Sequence, residues 1–269
     1  MKLQASLFST VLAVLAMVAS ASAMAQTPKK GGNFTFAVSA EPPNYDCHAN
    51  SSFAFIHPVR PHYSTLLEFD MPNYPKTVGD LATSWTVSKD GLTYTFKLRN
   101  NVKFHDGSAF TSEDIKATYD RIRNPTEGVR SLRKAVYADI ASIDTPDAQT
   151  VVFKLKKVNA SMLSNFASPF DCVYSAARLK QDPKFPERNI LGTGPFTFVE
   201  HAAGSHWIGK RFDGYFEKGK PYLDSFRAVF ISGAPMVNAL AAGEVLAEFR
   251  GHSPADRDRL VKALGDKAV

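Results

Sequence analysis

The feature that most constrains the fold is a stretch of alternating residues between Leu81 and Leu98. The runs SWTVS (84–88) and TYTFKL (93–98) alternate in polarity and flank Lys89-Asp90-Gly91. Alternation with a period of two indicates strands, and Asp-Gly provides the positive φ values that a tight turn needs. The stretch therefore predicts a β-hairpin.

A helix is predicted directly after this hairpin. Thr111 is followed three residues later by Asp114, which is the pattern of a capping box, and apolar residues continue to Ile122 before Asn124-Pro125 ends the helix. Further strands are predicted at 33–38, 150–155, 196–199, 206–211 and 226–231, helices at 132–140, 160–167, 175–179 and 234–242, and a turn at 145–147. Because strands and helices mix without strict alternation, the pattern favours an α/β to α+β fold.

The first 25 residues have the pattern of a secretory signal peptide. Lys2 precedes an apolar run from Leu7 to Val18, and small residues follow up to Ala25. The run is too short to span a bilayer core comfortably. We expect cleavage near Ala25, before Gln26, and a periplasmic location for the exported protein.

The net charge of the chain excludes few classes of partner by itself. Removing residues 1–25 deletes one base, Lys2, and no acid, so the formal charge falls from +6 to +5. Basic residues are interspersed with acidic ones, and no nucleic-acid-binding motif accompanies them, so nucleic acid is not an expected partner.

The two cysteines leave an alternative open. Cys47 and Cys172 both follow the export signal, and an oxidising compartment permits a disulfide between them. Such a bond would close a long loop and would stabilise the fold by about 4 kcal/mol on the chain-entropy relation. Two buried free thiols are the alternative, and the sequence does not decide between them.

Two blocks of the sequence resemble the bacterial extracellular solute-binding proteins of family 5, which are peptide, dipeptide and nickel receptors of ABC importers. The first block is DLATSWTVSKDGLTYTFKLRNNVKFHDGSAFTSEDIKATYDR (80–121). The second runs from GTGPF (192–196) to PYLD (221–224), and it departs from the family pattern at Phe212-Asp213, where Asn-Pro or Asn-Asp is usual.

The resemblance implies a periplasmic-binding-protein-like lobe of type II with a mixed sheet. A core subdomain is expected from 26–62 and 190–269, and an inserted subdomain from 63–189. Because family members are roughly twice this length, we expect a truncated chain with the second lobe largely missing. The implied function is binding of a peptide or similar small solute in an interlobe cleft and delivery to ABC permease subunits, by a monomer without a cofactor.

The loop after the first strand is the expected ligand-binding region, because the family's first lobe approaches the ligand there. Its candidate contacts are Glu41, Asn44, Tyr45, Asp46 and His48. Alternatively, Tyr45 and Asp46 hold a turn through capping bonds.

Catalysis is not expected. His105 and Asp106 are adjacent on an extended segment, so their side chains should point in opposite directions. No phosphate-binding loop, nucleophile elbow or metalloprotease motif occurs in the sequence. The sequence therefore favours a binding protein over an enzyme.

Two further clusters of residues are alternative candidates for a ligand site. His48, His57 and His62 suggest a metal or metallophore (nickel, haem) receptor, but their spacing matches no motif and favours scattered surface histidines. Arg130, Arg133 and Lys134 suggest carboxylate binding, but a solvated helix face is favoured. A structural or non-functional fragment is the remaining alternative to a receptor.

Overall fold

The computed structural model describes residues 28–267. The predicted signal peptide, residues 1–25, lies outside this range. Within the described range, no helix has the length and apolar character required to cross a membrane.

The first of two four-stranded sheets, which we call the core sheet, joins a strand near the start of the described chain to three strands between residues 196 and 230. It contains β1 (Asn33–Val38), β8 (Phe196–Ala202), β9 (His206–Arg211) and β10 (Ser225–Phe230) in the order β1-β10-β9-β8. β1 pairs with β10 in parallel, whereas the other pairs are antiparallel. The sheet is therefore mixed, as predicted.

The second sheet, which we call the insert sheet, is antiparallel throughout. It contains β4 (Ala82–Val87), β5 (Thr93–Leu98), β6 (Ile140–Asp147) and β7 (Thr150–Leu155) in the order β4-β5-β7-β6. The hairpin of β4 and β5 confirms the prediction. Before it, β2 (Leu67–Phe69) and β3 (Thr77–Gly79) form a separate two-stranded sheet.

Strand β6 shows where the sequence prediction is wrong. A helix was expected at 132–140 and a turn at 145–147, but the structure has only a 3₁₀ turn at Lys134–Tyr137 and then a strand that includes Pro146. Proline cannot donate a backbone hydrogen bond, which a strand tolerates best at a sheet edge. β6 lies at an edge of the insert sheet, and Pro146 falls in a register irregularity between Asp144 and Asp147, where it has no partner on β7.

Six helices pack around the sheets in the described part of the chain. They are α1 (Phe53–Val59), α2 (Ser112–Arg123), α3 (Met162–Phe166), α4 (Ala176–Gln181), α5 (Gly233–Ala242) and α6 (Pro254–Leu264). The predicted capping box of α2 is confirmed, since the Thr111 N–H donates to the Asp114 carboxylate over 2.7 Å. α5 ends at Gly243, whose φ of 73° suits glycine. α6 was not predicted.

Each large sheet has its own hydrophobic cluster. In the insert sheet, Phe166 lies among aromatic rings and is completely buried, with ring centroids 4.7 Å from Phe153 and 5.3 Å from both Phe96 and Tyr119. The core sheet covers a second cluster around the buried Trp207. A third, smaller cluster contains Ala37, Met236, Ala239 and Val245.

Candidate functional site

The loop that follows β1 has an ordered fold of its own, built on Asn44. The Asn44 side-chain oxygen accepts hydrogen bonds from the Asp46 backbone N–H (3.0 Å) and from the Asn50 amide (2.8 Å). These bonds lead the chain into a 3₁₀ turn at Cys47–Ala49. Asn44 therefore shapes the loop, as short polar side chains do in turns.

Asp46 forms a buried ion pair with Arg121 of α2. The Arg121 Nη2 lies 2.7 Å from Asp46 Oδ2, its Nη1 lies 3.2 Å from Oδ1, and the Asp46 side chain has no exposed surface. The Tyr174 hydroxyl also donates to Asp46 Oδ1 over 3.0 Å. Burial alone would raise the pKa of Asp46, but the nearby positive charge and the hydrogen bonds hold it below its usual value. Asp46 is thus a charged anchor between the loop and α2.

His48 belongs to the same network and remains neutral. Its Nε2–H donates to the Cys172 carbonyl over 3.1 Å, while its Nδ1 accepts from Arg121 over 2.8 Å. Burial and the neighbouring guanidinium groups lower the pKa of His48 to about 3. Because Asp46 is also enclosed by its partners, neither side chain is exposed on this surface.

A disulfide and a second ion pair hold the other side of the loop. Cys47 is bonded to Cys172, with 5.9 Å between their Cα atoms. Arg133 pairs with Asp171 at 2.8 Å and donates to the Asn50 carbonyl. Burial raises the pKa of Asp171 to about 6, although Arg133 opposes this shift. The expectation that Arg133 lies on a solvated helix face is wrong, because these partners bury most of its side chain.

Glu41 and Tyr45 lie on the accessible side of the loop and meet His201 of β8. The Tyr45 hydroxyl is 3.0 Å from His201 Nδ1, and His201 Nε2 is 3.0 Å from Glu41 Oε2. The Glu41 side chain is 42% exposed. His201 was not among the predicted site residues. Its separation of 160 positions from Glu41 leaves no local signal that could have found it.

The histidines are not distributed as expected. His62 is fully buried rather than at the surface, with its Nδ1–H donating to the Phe196 carbonyl (2.7 Å) and its Nε2 accepting from Trp207 (2.8 Å). Burial lowers its pKa to about 3. The prediction of surface histidines is therefore wrong for His48 and His62. Among residues 28–267, no group of three or more His, Cys, Asp or Glu side chains is placed to hold a metal ion.

His105 and Asp106 contact different partners. His105 Nε2 donates to the Gly194 carbonyl over 2.9 Å, whereas Asp106 pairs with Arg178 at 3.1 Å. The His105 backbone N–H also bonds to Gly192. Because the Gly194 position approaches the backbone of His62 and Tyr63 too closely for a side chain, this region is a tight chain crossing.

The mixed sheet and its helices define a lobe of the type II periplasmic-binding-protein fold. The agropinic acid complex of the binding protein AgaA from A. tumefaciens matches 80% of this chain with a TM-score of 0.74 and 33% identity. The complex of the Bacillus subtilis oligopeptide-binding protein AppA with a nonapeptide matches 81% with a TM-score of 0.74 and 26% identity. The matches cover 43% and 44% of those two proteins.

The sequence comparison identifies the family. The family model described as "Bacterial extracellular solute-binding proteins, family 5 Middle" matches residues 76–267, and the chain belongs to this family. It is also 37% identical over 163 residues to the glutathione-binding protein GsiB of Pectobacterium atrosepticum. The match covers 61% of this chain and 31% of GsiB, so the chain spans about a third of that relative. Members of the family are transport binding proteins.

Proposed function

We propose that this chain forms one wall of the solute-binding cleft of an exported ABC-importer receptor. The solute is a peptide or a similar small molecule, and the receptor passes it to the permease subunits. The main support for the proposal is the fixation of the loop after β1. A disulfide and two ion pairs hold its buried side, while Glu41 and Tyr45 remain accessible. Such fixation is what a preorganised binding surface needs.

The five predicted site residues take two roles in this proposal. Asn44, Asp46 and His48 shape and anchor the loop, because their polar atoms bond within the chain. Glu41 and Tyr45 contact the solute, because they lie on the accessible side. Within this lobe, 26–62 and 190–269 form the core subdomain and 63–189 the inserted subdomain, and Tyr63, Cys172, Tyr174 and Leu179 of the insert pack into the cluster of the core sheet.

The peptide class is supported by two similar proteins, AppA in its nonapeptide complex and the glutathione-binding GsiB. The receptor acts as a periplasmic monomer and binds without turnover. The metal-receptor alternative has no support from His48 and His62, since their ring nitrogens bond within the chain.

The proposal is tested by native mass spectrometry of the purified protein with a random tripeptide library. We expect saturable complexes with intact tripeptides and no hydrolysis products after long incubation. Absence of any complex would contradict the binding function, and accumulation of cleaved peptides would contradict the claim that the protein is not an enzyme.

A further inference from the structure

The buried hydroxyl of Tyr137 faces two acceptors with a single proton. It lies 2.7 Å from the Asn165 carbonyl oxygen and also contacts Oδ2 of Asp171. Tyr137 and Asp171 have no exposed surface, so bulk water does not reach them. A carbonyl oxygen only accepts hydrogen bonds, and a hydroxyl has one proton to donate. Both contacts are hydrogen bonds only when a second proton lies between Asp171 Oδ2 and the Tyr137 oxygen.

The groups packed around Asp171 leave this second proton to the carboxyl group itself. Arg133 Nε donates to the other oxygen, Oδ1, over 2.8 Å. The Tyr119 hydroxyl of α2 meets no partner with hydrogen-bonding geometry in the described part of the chain. The Ser168 hydroxyl, which follows α3, is a further donor to the carboxylate. None of these donors lies between Oδ2 and Tyr137, so Asp171 is the group that binds the proton.

Electrostatics agree with a proton on Asp171 at mildly acidic pH. Burial raises the pKa of Asp171 to about 6, although Arg133 and the hydroxyls of Tyr137 and Ser168 oppose this shift. Burial also raises the pKa of Tyr137 and of Tyr119 well above their usual values, so both tyrosines keep their protons. The proton that exchanges with solvent in this cluster is therefore the one on Asp171.

Arg133 connects this carboxyl group to the loop after β1. Its guanidinium donates to the backbone carbonyls of Cys47 and Asn50 as well as to Asp171. The same guanidinium lies over the Phe170 ring, 5.1 Å from its centroid. A change of charge at Asp171 therefore acts on the side chain that holds the loop.

We propose that Asp171 is a proton-operated switch that fastens the segment 165–171 and, through Arg133, the loop after β1. With the proton bound, Asp171 donates to Tyr137, Tyr137 donates to the Asn165 carbonyl, and Oδ1 still accepts from Arg133. Without the proton, Tyr137 serves only one of its two acceptors, and a buried carboxylate remains in the fold. Acid therefore fastens this region.

The direction of the pH dependence follows from proton linkage. The folded protein binds the Asp171 proton more tightly than the unfolded chain does, because its folded pKa is raised. The contribution of the switch to stability is complete below about pH 4 and is lost as the pH rises through about 6. His48 acts in the opposite direction, since it stays neutral in the folded protein and gains a proton only when the loop opens.

The first test is the pH titration of the Asp171 side-chain carboxyl carbon by NMR. The unaltered, ligand-free protein is used, and the resonance is assigned through its couplings to the backbone of the same residue. We expect a titration midpoint near pH 6. A midpoint below pH 5 would overturn the switch, because the carboxylate would then be ionised throughout the relevant range.

The second test is hydrogen exchange of the backbone amides at positions 168 and 171, which donate within the segment. Asp171→Asn places a permanent N–H donor towards Tyr137 and mimics the protonated form at every pH. Between pH 7.5 and pH 5.0, protection in the unaltered protein should rise about tenfold relative to this variant. The ratio of the two proteins cancels the opposite effect of His48. A ratio that stays constant with pH would contradict the proposal.

Asp144→Asn is the matched control for the loss of a carboxylate. Asp144 pairs with Lys154 at 2.9 Å on the insert sheet, and both side chains are exposed. The ratio between the unaltered protein and this variant should not change with pH at the same two amides. A tenfold change here as well would remove the assignment to Asp171. All of these measurements use ligand-free protein, so a failure of the proposed function leaves their outcome unaffected.

Discussion

The insert sheet and the loop after β1 are stabilised by different kinds of interaction. The cluster beneath the insert sheet is aromatic and aliphatic, with Phe166 at its centre. The loop after β1 is held by a disulfide and by two ion pairs, Asp46–Arg121 and Arg133–Asp171. Apolar packing is non-directional, whereas hydrogen-bonded charges define positions. The insert sheet therefore acts as a scaffold, whereas the loop after β1 holds its side chains in defined positions.

The largest expected effect is on the scaffold. Phe166→Ala removes a fully buried ring from the aromatic cluster and should lower the free energy of unfolding by about 4 kcal/mol. Urea unfolding followed by circular dichroism measures this loss. Val158→Ala, at a side chain that is 62% exposed, is the control and should change stability by less than about 0.5 kcal/mol. Equal effects of the two variants would refute the assigned core.

The next largest effect tests the buried Asp46–Arg121 ion pair that holds the loop after β1. Arg121→Met leaves Asp46 charged and buried without its partner, and should cost about 3 kcal/mol of unfolding free energy. Lys116→Met breaks the exposed Lys116–Asp120 pair on the same helix and should cost about 0.3 kcal/mol. Similar losses would mean that the buried pair does not anchor the loop.

Acid should destabilise the fold through two buried histidines. The folded pKa values of His48 and His62 are about 3, so only the unfolded chain gains these protons as the pH falls below about 6.5. Asp171 opposes this, because its folded pKa of about 6 lies above its unfolded value and it takes up a proton in the folded state.

The balance of these three groups is a net loss of stability on acidification. Between pH 6.5 and 5.5 the two histidines cost about 2 kcal/mol and Asp171 returns about 0.7 kcal/mol, which leaves a net loss of about 1 kcal/mol. Urea unfolding at the two pH values measures it. A gain in stability at pH 5.5 would contradict this balance.

The smallest expected effect concerns the N-terminal cap of α2. Thr111→Ala removes the capping side chain of α2 and should cost about 1 kcal/mol. Thr126→Ala, at an exposed position in the loop after this helix, should be nearly neutral. If the two threonines behave alike in thermal unfolding, the cap contributes nothing to the scaffold.

The two regions also differ in what their sequence reveals. The hairpin of β4 and β5 and the capped helix α2 were predicted because their signals lie within a few residues of each other. Strand β6 was missed because Pro146 indicates a turn unless its place at a sheet edge is known. Local sequence patterns therefore predict much of the insert sheet and the helix α2.

The loop depends on contacts between distant positions. Asp46 meets Arg121 across 75 positions, and Glu41 meets His201 across 160. No periodicity or spacing encodes such pairs, so the sequence identified the loop through its family resemblance but not the partners that hold it. The same limit explains why Arg133 was expected on a solvated face.

Hydrogen exchange of the purified protein, with and without the random tripeptide library, tests most directly whether the loop after β1 binds the solute. We expect slower exchange in the loop at 41–45 and around Gly204 when tripeptides are bound, and unchanged exchange in β5 and β7 of the insert sheet. Protection confined to the insert sheet, or absent from the loop, would contradict the claim that this loop is the solute-binding surface.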